Sequence, residues 1–113
     1  MTFLTCIDHL NVQVPPEKEE EAITFYGELL ELKRLKKPDS LGPKGAHFCI
    51  SETPWYELHL GVARGVTQAD VNKNLRNHLG FQVDDLDAAR EKFKAAGIDI
   101  EEATAAYSET RDF

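Results

Sequence analysis

Asp8-His9-Leu10-Asn11-Val12-Gln13-Val14 returns, 69 positions later (His9 to His78), as Asn77-His78-Leu79-Gly80-Phe81-Gln82-Val83, with the His, Leu, Gln and Val identical. Both heptads alternate polar and apolar residues, the period of a strand with one buried face. Each is followed at a similar distance by a turn and an amphipathic helix, so the match reads as an internal βα repeat.

In the first copy Pro15 and Pro16 end the strand, and Glu17, Glu19, Glu20 and Glu21 favour the positive end of a helix dipole. Ala22, Phe25, Tyr26 and Leu29 then recur at i, i+3, i+4 and i+7, a single apolar stripe. In the second copy Asp84 or Asp85 is the N-cap, Leu86, Ala89, Phe93 and Ala96 form the stripe, and Gly97 stops the helix. After the first helix come a strand over residues 33–37, a turn-rich stretch over 38–45, and alternating segments at 46–51 and 55–62 joined around Pro54 in hairpin fashion. The first unit is therefore βαβββ. Residues 64–76 are polar and join the copies. The second copy continues with a strand at 98–103, and Phe113 falls opposite Lys44, so counterparts of the first unit's last two strands are absent from this sequence. The expectation is an α+β fold, one domain over residues 1–113. It is made of paired βαβββ modules forming a cupped mixed sheet, with module 1 at 1–63 and an incomplete module 2 at 77–113 that lacks its last strand or strands.

A chain of 113 residues, 42% hydrophobic and 29% charged, has the composition of one ordinary globular domain. Its formal charge of −7 opposes the phosphates of nucleic acid. The basic run Lys33, Arg34, Lys36 and Lys37 reads as a solvated strand or helix end. No window approaches the roughly 20 apolar residues that cross a bilayer. Residues 1–9 carry neither a basic start nor an apolar run, so Cys6 and Cys49 are expected as free thiols in the cytoplasm.

Sorting each strand into two faces separates the chemistry cleanly. Leu10, Val12 and Val14; Ala46, Phe48 and Ile50; Leu58, Leu60 and Val62; and Leu79, Phe81 and Val83 form the faces that pack on helices. The opposite faces carry His9, Asn11 and Gln13; His47 and Cys49; Trp55, Glu57 and His59; and His78 and Gln82, including all four histidines of the chain. A face washed by solvent would carry Lys and Glu. This one reads as a cavity lining. Imidazole and carboxylate on neighbouring strands suit a divalent cation such as Zn, Ni, Mn or Fe. His9 and His78 occupy equivalent repeat positions and are the favoured ligands. Glu57 and His59, neighbours on one face, compete for a further coordination position. His47 and Cys49, with Asn11, Gln13 and Gln82, read as pocket lining, and Trp55 either stacks on a substrate or packs along its strand.

The set Asp8-His9-Leu10, Phe25-Tyr26 with Leu29-Leu30 and Leu32, Glu57-Leu58-His59-Leu60, His78-Leu79-Gly80-Phe81 and Val83-Asp84-Asp85-Leu86 resembles the vicinal oxygen chelate superfamily of glyoxalases, bleomycin and fosfomycin resistance proteins, epimerases and extradiol dioxygenases. The resemblance implies a divalent metal held by His9, His78 and Glu57, chelated by two adjacent oxygens of a small substrate, with Glu57 as ligand, catalytic base or both. The activities it implies are those of a lyase, isomerase, transferase or dioxygenase. The family's last-strand glutamate has no counterpart, since Glu101, Glu102 and Glu109 lie too early in the second copy. A metal-free, bleomycin-resistance-type module that sequesters a ligand such as an antibiotic is the alternative, and a purely structural or subunit-interaction domain is a third reading. A homodimer is expected under all of them, because open sheet edges and faces need cover.

Overall fold

The computed structural model describes residues 3–73 and 78–101. By its internal contacts the chain divides into two compact units, Met1–Leu79 and Gly80–Phe113.

The first unit is a four-stranded mixed sheet with a short helix. Strand β1 (His9–Val14) leads through a 3-10 turn at Pro16–Lys18 into α1 (Glu19–Thr24), which continues as a π turn over Phe25–Leu29. Strands β2 (Lys33–Leu35), β3 (Ala46–Glu52) and β4 (Trp55–Val62) follow, and then the short helix α2 (Gln68–Asn72). The sheet order is β1-β4-β3-β2, with β1 parallel to β4 and the other two pairings antiparallel. This is the βαβββ unit expected from the sequence. The strand expected over 33–37 is shortened to three residues, and α2, capped by a reciprocal Thr67–Asp70 box, occupies part of the joining segment.

Its core is the apolar face that strand alternation marks out. Ala46, Phe48, Leu58 and Leu60 are buried, and Leu10, Val12, Val14, Ile50, Ala22, Ile23, Tyr26 and Leu32 pack around them. The helix contributes Ala22, Ile23 and Tyr26 to this packing rather than the strict 22-25-26-29 stripe, and the wider π turn over Phe25–Leu29 takes Leu29 off the α-helical period. Gly27 lets the helix sit close on the sheet. A Cβ there would lie 3.3 Å from Cε1 of Phe48.

The entry to β3 is fixed by two residues far apart in sequence. Gly45 has φ +80°, and a Cβ on it would stand 2.2 Å from the Leu60 carbonyl oxygen, so only glycine fits. Its backbone N–H donates to Glu19 Oε2 at 2.7 Å. Glu19 therefore does more than complement the helix dipole; it ties α1 to the start of β3. Glu19→Ala is expected to lower stability by about 1.5–3 kcal/mol, the range for a hydrogen bond to a charged group, and urea unfolding of the variant checks it.

The second unit contains α3 (Leu86–Ala95). Asp85 is its N-cap, accepting from the Ala88 N–H at 3.0 Å. At the other end Gly97, with φ +77°, donates to the Lys94 carbonyl and Ile98 to the Phe93 carbonyl, the paired bonds that close a helix on a left-handed glycine. The start and stop expected from the sequence are both present. The second-copy strand expected from His78 to Val83 is not: no ladder forms there, and Leu79, Phe81 and Val83 are 39%, 44% and 49% exposed. The reason lies in the pairing. β1 is held by β4, whereas residues 78–83 have no strand partner among the described residues. Residues 98–101 likewise form no strand; the rest of the segment expected to run to residue 103 lies outside the described residues.

Among the described residues no helix is long and apolar enough to cross a membrane. Cys6 is exposed and Cys49 buried, and both are free thiols.

Candidate metal centre

Strand register assembles the polar face. On β4, Glu57 and His59 point the same way, and β4 lies between β1 and β3. Glu57 is paired with His9 on one side and Cys49 on the other; His59 is paired with Asn11 and with His47. Three imidazoles thus stand side by side across three strands. The His47 and His59 rings stack at 3.6 Å with planes 5° apart, and His9 stacks on the other side of His59 at 4.3 Å and 17°.

Glu57 is the hub. Its Oε1 is 2.9 Å from His59 Nε2 and 4.0 Å from His47 Nδ1, and its Oε2 accepts from the Trp55 indole N–H at 2.5 Å. The hydrogen bonds from Trp55 and then His59 hold the Glu57 carboxyl below the usual glutamate range. Burial, helped by the neighbouring His59, pushes His47 below the ordinary histidine value. The two groups are therefore an anion and a neutral imidazole at neutral pH, the protonation states a cation requires of its ligands.

One donor atom each from His47, Glu57 and His59 lies within 4.8 Å of the others, the one such group among the described residues. Two imidazole nitrogens and a carboxylate oxygen are ordinary ligands for a divalent metal, which holds such donors at about 2.0–2.2 Å. Small rotations of these side chains would draw the three atoms onto one ion, so the donor chemistry and the spacing fit.

The other residues singled out from the sequence fall around this group or away from it. His9 adjoins it through the stack, with its Nδ1 2.9 Å from Asp8 Oδ2, an arrangement that fixes an imidazole's tautomer and leaves Nε2 for a ligand. Cys49 is buried beside it, its Sγ directed to the Ser51 carbonyl. Trp55 is half exposed and tied to Glu57 rather than free to swing over a ligand. His78 lies elsewhere in the first unit, in a cleft of about 630 Å³ bordered by Asn11, Gln13, Val66, Asp70 and Leu79. Gln82 is exposed in the second unit. The residue whose part the sequence understated is His47, which stands in the group and not merely along a pocket wall. Its place follows from the register, in which Phe48 meets Leu58 on the buried face and His47 meets His59 on the other.

Both pKa shifts tie stability to pH in the same direction. His47 resists protonation when folded, and unfolding restores its ordinary value of 6.5; Glu57 resists it likewise against 4.5. The unfolded chain therefore binds more protons below about pH 6.5, and stability falls on acidification, first through His47 and then through Glu57. Chelator-treated protein is expected to melt at a lower temperature at about pH 5 than at about pH 7.5, with the upper part of that dependence reduced in His47→Gln. Equal pH slopes in the two proteins would remove His47 as the source.

The chain matches the Glyoxalase/Bleomycin resistance protein/Dioxygenase superfamily over residues 7–112, and it belongs to that superfamily. A crystal structure of a protein assigned to the glyoxalase family, from Bacillus anthracis, is 30% identical with a TM-score of 0.70, covering 88% of this chain and 75% of that one. The fosfomycin resistance protein FosX from Listeria monocytogenes covers the same shares at 16% identity and a TM-score of 0.50, a likeness of fold. No curated protein matches. The α+β architecture read from the repeat is thus that of the superfamily.

Proposed function

We propose that this protein is a metal-dependent enzyme of the glyoxalase/dioxygenase type that binds a small molecule through two adjacent oxygens. The observation that carries the reading is the convergence of His47, Glu57 and His59 on one face of the sheet, with His9 stacked against them. Glu57 belongs both to the set that the spacing favours and to the set that the superfamily resemblance implies. His59 and His47 complete the set that the spacing favours, with His9 as the adjoining fourth, while His78 is the position that the superfamily resemblance implies. A bound Zn, Ni, Mn or Fe ion would act as a Lewis acid on the chelated oxygens.

The chain's own residues prepare that site. The Trp55 indole holds one Glu57 oxygen and orients the carboxylate. A carboxyl whose anion is favoured by hydrogen bonds from Trp55 and His59 is a good ligand and a weak proton acceptor at neutral pH, which favours coordination over general-base duty for Glu57. The sequestering alternative has no such use for a buried neutral imidazole beside an anion.

Thermal shift tests the proposal. Divalent cations are expected to raise the melting temperature, and acetohydroxamic acid, which is uncharged when free near neutral pH and chelates through two adjacent oxygens, to raise it further only when the metal is present. Stabilisation by a cationic aromatic antibiotic in chelator-treated protein, with no response to metal, would instead establish a sequestering protein.

A further inference from the structure

We propose that the cleft framed by Lys37, Lys44 and Arg64, beside His47 and His59, receives an anionic group of the substrate, so that the substrate is a small carboxylate, phosphonate or phosphate ester whose vicinal oxygens reach the metal centre. The substrate class rests on the metal-centre reading; the anion site stands on its own observations.

The topology gathers these charges. β2 and β4 both run antiparallel to β3, so the residues after β2, before β3 and after β4 lie at one end of the sheet. Lys37, Lys44 and Arg64 occupy those three places. There they border a cleft of about 300 Å³ whose floor includes His47, His59 and Gly61, and no carboxylate lines it. Among the described residues none of the three cations forms a salt bridge. In a chain with 20 acidic and 13 basic residues, a cleft bordered by three cations and by no carboxylate is a local reversal of the net charge.

The cleft is also built, not merely decorated. The Lys37 ammonium donates to the Lys44 carbonyl, which pins one cation and the loop carrying the second. Gly45, immediately after Lys44, is locked by its left-handed backbone and by Glu19. The positive charge of Lys37 reaches His47 as well, adding to the causes that lower its basicity. An anion seated here would lie next to the donor atoms of the metal group, within reach of one small molecule. Lys44 and Arg64 are exposed, so they can be substituted without disturbing the core.

Calorimetric titration of the full chain decides the matter. Inorganic phosphate is expected to bind chelator-treated protein, and to bind about tenfold more weakly to the Lys44→Ala/Arg64→Ala double variant or at high ionic strength. On Mn(II)-loaded protein, phosphonoformate, which carries anionic oxygen beyond its chelating pair, should bind about tenfold more tightly than acetohydroxamate, which carries none, and the double variant should erase that preference while leaving acetohydroxamate affinity within about twofold. Lys44→Arg/Arg64→Lys should restore it. Phosphate affinity indifferent to the double variant, or equal affinity for the two chelators in the parent protein, would overturn the anion site while leaving a metal centre intact. Phosphate binding that responds to the variant, with no metal-dependent binding of acetohydroxamate, would keep the anion site and remove the metal centre.

Discussion

Phe48→Ala is expected to cost about 3–5 kcal/mol, a large part of the roughly 5–15 kcal/mol by which a domain is ordinarily stable. Phe48 is 1% exposed at the centre of the sheet's apolar face. Tyr26 meets it at 6.1 Å between ring centroids, the Arg34 guanidinium lies 5.6 Å from its ring centre, and Gly27 brings the helix down onto its edge. Relaxation around the missing ring is restricted, because Gly27 already approaches closely and β3 is paired on both sides. In urea the variant should show a much lower midpoint with little change in slope. Leu41→Ala, at a position 60% exposed, should move the midpoint hardly at all. A loss under about 1 kcal/mol at Phe48 would contradict the packing described, given the usual range for core truncations.

The second large effect is on metal affinity. Glu57→Gln retains a carbonyl oxygen that can accept from Trp55, so the fold should survive, but it removes the one negative charge facing His47 and His59. Divalent-cation affinity is expected to fall at least about 100-fold, or about 2.8 kcal/mol at 1.4 kcal/mol per factor of ten. Titration calorimetry on both proteins, with circular dichroism to verify folding, measures it. A folded Glu57→Gln protein that binds metal as the parent does would remove Glu57 from the site.

Much of this was legible before any coordinates. The His9/His78 repeat, strand alternation and helix punctuation led to the βαβββ order, to Asp84 or Asp85 and Gly97 as the ends of α3, and to a polar face carrying the histidines. What sequence alone did not resolve was pairing. The short turn after β3 would bring Ile50 opposite Glu57, which mismatches the faces. A bulge between Cys49 and Ser51 shifts the register so that Phe48 meets Leu58 and His47 meets His59. That single extra residue brings His47 into the group. The second-copy strand failed for a different reason. Its alternation is as good as that of β1, but a strand also needs a partner, and alternation says nothing about whether one exists. The basic run at residues 33–37 misled in part as well. Lys33 and Arg34 lie on β2, whereas Lys37 turns into a cleft whose other cations are distant in sequence.

X-ray absorption at the metal edge of Zn- or Mn-loaded protein is the most direct test of the metal centre, because it reads the ligands themselves. The spectrum should show imidazole scattering together with oxygen ligands, with imidazole scattering reduced in both His47→Ala and His59→Ala and retained in His78→Ala. Loss of imidazole scattering in His78→Ala with none in the other two variants would contradict the His47–Glu57–His59 centre, as would a protein that takes up no metal at all.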